Sequence, residues 1–228
     1  MGHESPSLER RERVERKDWG IALSVSEDCE GEAFRIRDSI IEKGVAFDLA
    51  LERNPHVTLF QGEFTSASHQ AIEKVVIEVL NEFYRNSQDS LILEMEDNLY
   101  LRQGNNNIFW NVKSSEWLTR LHLSLDERLR SLPEWGIMKQ FRDRIEQGKL
   151  TSAELAHVEK YGVLSAGSQF LPHITIGKLA NGTDFDRIKG LPVRPVSFVA
   201  EHLITGMVDR YGRIESIEMT NDMKADFK

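Results

Sequence analysis

Phe170-Leu171-Pro172-His173-Ile174-Thr175-Ile176-Gly177 repeats, almost letter for letter, an earlier stretch of the same chain, Asn54-Pro55-His56-Val57-Thr58-Leu59-Phe60. Each contains the run Pro-His-aliphatic-Thr-aliphatic. In an extended strand successive side chains point to opposite faces, so His56 and Thr58 share one face while Val57 and Leu59 point into a core. His173 and Thr175 repeat that division. If two halves of the chain pack about a pseudo-twofold axis, their strands present two imidazoles and two hydroxyls to one cleft. That set comprises an acid, a base and two hydrogen-bond donors.

The flanking sequence points to a duplication. The order strand, helix, tetrad strand occurs twice, over 19–64 and 108–179. In the first half, 19–25 is short, apolar and rich in strand formers. A helix over 32–43 follows, with Phe34, Ile36, Ile40 and Ile41 available for burial and Gly44 as its stop. After the tetrad strand at 56–64, the segment 66–84 carries one apolar stripe of Ile72, Val75, Val76, Val79, Leu80 and Phe83, which predicts a helix. Leu91, Leu93 and Met95 alternate with polar residues. The turn Gly104-Asn105-Asn106-Asn107 and the returning Ile108, Trp110 and Val112 then complete a hairpin.

In the second half, 115–132 buries Leu118, Leu121, Leu125 and Leu129, with His122 beside the stripe in a structural position. The stretch from strand start to tetrad histidine is longer here, 108 to 173 against 19 to 56. An insertion at 133–168 accounts for the difference. It comprises a helix over 135–147 and a capping box, Thr151-Ser152-Ala153-Glu154, opening a short helix that stops at Gly162. Strands at 196–207 and 213–219, joined by a turn at 209–212, close the domain. The expected layout is a charged arm at 1–18, a bilobal domain at 19–219 containing the insertion, and a tail at 220–228. The expected fold is α+β: two pseudo-twofold-related lobes with antiparallel-rich sheets, helices outside and an active cleft between the lobes.

With 228 residues, 40% hydrophobic and 29% charged, the chain can bury a sizeable core without cross-links. Its lone cysteine, Cys29, excludes an intramolecular disulfide and fits a reducing cytoplasm, the expected location. No apolar run approaches a membrane span, and the charged start is unlike a secretory leader. Gly2 invites a myristoylation reading, but Pro6 stands where that motif needs Ser or Thr. The net charge of −8 and the absence of a basic stripe argue against tracking a long nucleic acid. A small phosphodiester bound by a few local donors is compatible with that surface.

The paired tetrads, His56-Val57-Thr58-Leu59 and His173-Ile174-Thr175-Ile176, resemble those of the 2H phosphoesterase superfamily, which includes RNA cyclic phosphodiesterases and the proteins called 2',5'-RNA ligases. The resemblance covers roughly 19–219. It implies that His56 and His173 are the catalytic pair and that Thr58 and Thr175 bind phosphate.

The residue types suit that chemistry. A histidine near its ordinary pKa of about 6.5 can serve as acid or base near neutrality. A threonine hydroxyl two residues along the strand faces the same way and can donate to a phosphate oxygen, while its branched carbon stiffens the rotamer. The expected activity is metal-independent cleavage of a 2',3'-cyclic phosphate or a 2',5'-linked nucleotide or oligonucleotide, with no cofactor. The sequence leaves open which histidine is the base.

By alternation Phe60 continues the His56 and Thr58 face, where its ring would stack on a base, and Gly177 leaves room at the matching position. Tyr100, Arg102, Trp110 and Tyr211 are further residues that a substrate could meet, and the sequence does not rank them. The expected partners are a small nucleotide or a short oligonucleotide, with no long duplex and no membrane, acting on a monomer. One alternative is a nucleotide-binding module of the same fold without turnover. Another is a metal site built from His56, His173 and a carboxylate, which no His-x-x-x-His spacing supports.

Overall fold

The computed structural model describes residues 15–48, 55–86, 91–102, 106–209 and 213–223. Most of the charged arm, the hairpin turn at 103–105, the 210–212 turn with Tyr211 and residues 224–228 lie outside the described residues.

The elements follow in the order β1 (Arg16–Ser24), α1 (Glu27–Glu42), β2 (Phe47–Asp48), β3 (His56–Thr65), α2 (His69–Asn86), β4 (Ile92–Arg102), β5 (Asn107–Val112), α3 (Glu116–Arg130), α4 (Lys139–Glu146), α5 (Ser152–Tyr161), β6 (His173–Leu179), β7 (Ser197–Val199), β8 (His202–Val208) and β9 (Ile214–Asp222). Strand β1 starts at Arg16 because its ladder with β3 runs out to Arg16 opposite Thr65. Helix α1 starts earlier than its apolar residues suggest. Ser26 caps it by accepting from the Cys29 amide, and Glu27, Asp28 and Glu30 sit at the positive end of its dipole. The capping box at Thr151 forms as expected, and Gly162 closes α5 with left-handed backbone.

Two antiparallel sheets result, one in the order β3-β1-β8-β9 and the other β2-β6-β5-β4-β7. The repeat units are β1-α1-β3 and β5-α3-β6, and they exchange parts. Strand β4 leaves the first unit and pairs with β5, while β8 leaves the second and pairs with β1. Helix α3 packs on β3 and α1 on β6. This reciprocal exchange is the pseudo-twofold relation, and it brings β3 and β6 against each other where the sheets meet. A single core, containing Ile21, Leu59, Phe64, Trp110, Leu121 and Ile176, spans both lobes.

The expected strand at 196–207 proves to be two. Hydropathy continues across Ala200 and Glu201, but the Ala200 amide bonds to the Leu91 carbonyl of one lobe and the Glu201 carbonyl accepts from Met223 of the other. The chain therefore changes sheets there. In the insertion, helix begins at Lys139 and not at 135, because Gly136 bridges to Glu63 of β3 through its backbone.

The insertion has a small core of its own, in which Met138, Phe141, Val158, Val163 and Ala166 join Val208 of β8. It is pinned to β3 by Glu63, which is 2% exposed and ion-paired to Arg16 and Arg142. Nearby, the Asp18 carboxylate accepts from the Lys139 amide. Among the described residues no helix is long and apolar enough to cross a membrane.

Candidate active site

Both tetrad strands carry a bulge at the same letter of the motif. Opposite β1, Thr58 pairs with Ala22 and Phe60 with Ile21, which leaves Leu59 as the extra residue. Opposite β5, Thr175 pairs with Phe109 and Gly177 with Ile108, which leaves Ile176 extra. A bulge inserts one residue into one strand, so the alternation slips beyond it. His56 and Thr58 remain partly open, Val57 and Leu59 are buried, and the next partly open residue is Gln61. In β6 the open positions are His173, Thr175 and Lys178.

The slip bears on two expectations. Phe60 turns largely to the core side, 4% exposed and 6.1 Å from the Phe64 ring, while still lining the depression beside Thr58. Gly177 leaves no room beside Thr175, since a Cβ there would lie 2.1 Å from the Phe47 ring. Gln61 and Lys178 take the places that simple alternation assigned to Phe60 and Gly177. Trp110 is fully buried and its Nε1 donates to the Glu96 carbonyl, so it too is structural.

Thr58, Gln61 and His173 line one depression, walled by Phe170 and Leu171 and by Val163, Ser165 and Ala166 from the end of the insertion. His56 is close enough to act electrostatically on His173. All four predicted site residues thus belong to the two strands that meet at the lobe boundary, with Thr175 next to His173 on β6.

The His173 Nδ1 lies 2.7 Å from the Leu171 carbonyl. A carbonyl only accepts, so Nδ1 carries the proton and Nε2 of the neutral ring bears the lone pair. The ring stacks on Phe109 with centroids 3.8 Å apart. Desolvation by its neighbours disfavours the imidazolium and brings its pKa down from 6.5 to about 4. The Leu171 bond opposes the drop, while the Arg102 and His56 charges reinforce it.

His122, taken from the sequence as structural, ties β3 to the segment that leads into β6. It is 1% exposed and stacks on Phe170 at 3.9 Å. Its Nδ1 donates to the carbonyl of Leu59, the bulge residue of β3, at 2.7 Å, and its Nε2 accepts from the Gly167 amide at 3.0 Å. Burial holds it in the neutral form that this pair of bonds requires. Nothing in the α3 sequence pattern announces this role, because both partners are backbone groups far away in the chain. Among the described residues no three His, Cys, Asp or Glu side chains converge as metal ligands would.

Two antiparallel sheets related by exchange, meeting along paired His-x-Thr strands with helices outside, form the bilobal α+β fold that the tetrads led us to expect. Among solved structures the chain is similar to E. coli LigT, a 2H phosphoesterase. Against LigT complexed with NADP+ the TM-score is 0.53 at 13% identity, covering 91% of this chain and 98% of that one. Against LigT complexed with 3'-AMP it is 0.50 at 10% identity, covering 92% and 99%, and against LigT complexed with phosphate 0.50 at 12% identity, covering 91% and 98%. These are likenesses of fold. No protein-family model matches the sequence, and no curated protein matches it either.

Proposed function

We propose that the protein is a phosphodiesterase that cleaves a 2',3'-cyclic phosphate or a 2',5'-linked nucleotide by two-histidine acid–base catalysis. The observation that carries this reading is the meeting, at one lobe boundary, of two bulged His-x-Thr strands. One of their imidazoles, His173, is held neutral with its lone pair on Nε2. The nucleotide and phosphate complexes of LigT, which has the same fold, support a nucleotide phosphodiester as the substrate class.

In this reading His173 is the general base. Its Nε2 takes a proton from the attacking water or ribose hydroxyl, the new P–O bond forms, and the bond to the leaving oxygen breaks. His56, as imidazolium, gives its proton to that oxygen. Thr58 and Thr175 donate to the non-bridging oxygens, where charge builds. With a cyclic phosphate and water the product is a monoester. With a 2',5' bond and a neighbouring hydroxyl it is a cyclic end and a free alcohol.

The test is turnover of nucleoside 2',3'-cyclic phosphates and 2',5'- and 3',5'-linked dinucleotides, with chelator present, by wild type, His56→Ala and His173→Ala. We expect hydrolysis of one class by the wild type and a loss of about 10²–10⁴-fold in kcat in each variant. Nucleotide binding without turnover would favour a binding module of the same fold, and inhibition by chelator would favour a metal centre.

A further inference from the structure

The face of the five-stranded sheet that carries His173 continues outward across β5 and β4. Thr175 pairs with Phe109, and Phe109 with Tyr100, so the three share one row across three strands. Two residues along β4 from Tyr100, on the same face, is Arg102, paired with Asn107. Neighbouring strands are about 4.8 Å apart, which places Tyr100 about 10 Å from Thr175. A ribose with its base spans most of that distance when the phosphate sits at Thr175.

The row is built for contact and left open. Phe109 has one face against the His173 ring, while Tyr100 is 43% exposed, an unusual condition for an aromatic in mid-strand. The Arg102 guanidinium lies 5.9 Å from the Phe109 centroid. Among the described residues no carboxylate is ion-paired with it, and Arg144 of the insertion brings a second positive charge within reach. The Arg102 guanidinium without a carboxylate partner, beside an exposed ring on a protein of net charge −8 and with Arg144, itself paired to Glu154, not far off, marks a place for an anion attached to a flat ring.

We propose that Tyr100 and Arg102 form a subsite for the remainder of a nucleotide substrate, the base stacking on Tyr100 and Arg102 holding a phosphate beyond the one cleaved. The preferred substrate is then an oligonucleotide end and not a mononucleotide. This rests on the phosphodiesterase reading above, and it places the base on β4 rather than at Phe60.

The test is equilibrium binding by titration calorimetry of inorganic phosphate, adenosine 3'-monophosphate and adenosine 3',5'-bisphosphate to wild type, Tyr100→Ala, Tyr100→Phe, Arg102→Gln and His56→Ala. In the wild type, affinity should rise in that order of ligands. Tyr100→Ala should cut the ratio of monophosphate to phosphate affinity about tenfold, with Tyr100→Phe restoring it. Arg102→Gln should remove most of the advantage of the bisphosphate over the monophosphate. Unchanged ratios in Tyr100→Ala and Arg102→Gln would overturn the subsite while leaving the phosphate site standing. Failure of the wild type to bind any of the three, or full binding by His56→Ala, would overturn the underlying reading instead.

Discussion

At His173 one hydrogen bond fixes the tautomer on which the proposed base role rests. The Leu171 carbonyl can only accept, so Nε2 is basic in the neutral ring, and close packing keeps the ring neutral well below its ordinary 6.5, down to about 4. The base must be neutral to act. The acid limb of kcat/KM is therefore expected near pH 4, with activity lost as pH falls through that value, while the limb in kcat lies higher because a bound phosphate anion favours the imidazolium. A kcat/KM limb at 6 or above would transfer the base role elsewhere.

Stability carries the same sign. Between about 4 and 6.5 the unfolded chain binds a proton at this residue that the folded chain does not. Folding stability should therefore rise with pH across that window, be fully present above it, and show a smaller slope in His173→Gln. Burial of His122 adds in the same direction.

Among the elements, the decisive features are the two bulges and the helix that bridges them to the insertion. Leu59 is the extra residue of β3, and its carbonyl accepts from His122 of α3, whose other nitrogen accepts from the amide of Gly167, six residues before the second tetrad histidine. The bridge joins the first tetrad strand to the segment leading into the second through backbone groups alone. His122→Phe would keep the stack on Phe170 and strand both partners. It should destabilise the fold by about 2 kcal/mol or more, since a buried unsatisfied group costs about 1–3 kcal/mol. If the bridge positions β3 and β6, kcat should fall while KM for substrate changes little, and His122→Gln should recover part of both losses. Denaturant unfolding and steady-state kinetics measure the two effects.

In the whole molecule the insertion belongs to the second repeat by sequence but docks on the first sheet. Glu63 of β3 is the anchor, side chain 3% exposed and paired to Arg142 of α4 and to Arg16 of β1. Removing one partner of a buried pair leaves a charge uncompensated, so Arg142→Ala should destabilise by about 3 kcal/mol, at the low end of the range because Arg16 remains. The end of the insertion walls the candidate site. The same variant should therefore raise KM for nucleotides more than for small phosphodiesters if the insertion contributes to specificity. An equal effect on both would confine Arg142 to stability.

Much of this was readable from the amino acids because helix and strand periodicities are properties of local backbone geometry. Duplicated His-x-Thr runs placed His56, Thr58, His173 and Thr175 together, and the stripe of α2, the cap of α5 and the α+β class follow from residues close in the chain. What came from folding depends on which distant strand accepts each backbone hydrogen bond. The bulges at Leu59 and Ile176 replace Phe60 and Gly177 by Gln61 and Lys178, the break at Ala200 sends β7 and β8 to different sheets, and only cross-strand register aligns Tyr100 with Phe109 and Thr175. A one-residue slip reverses every later side chain of a strand, and hydropathy, nearly equal on either reading, does not register it.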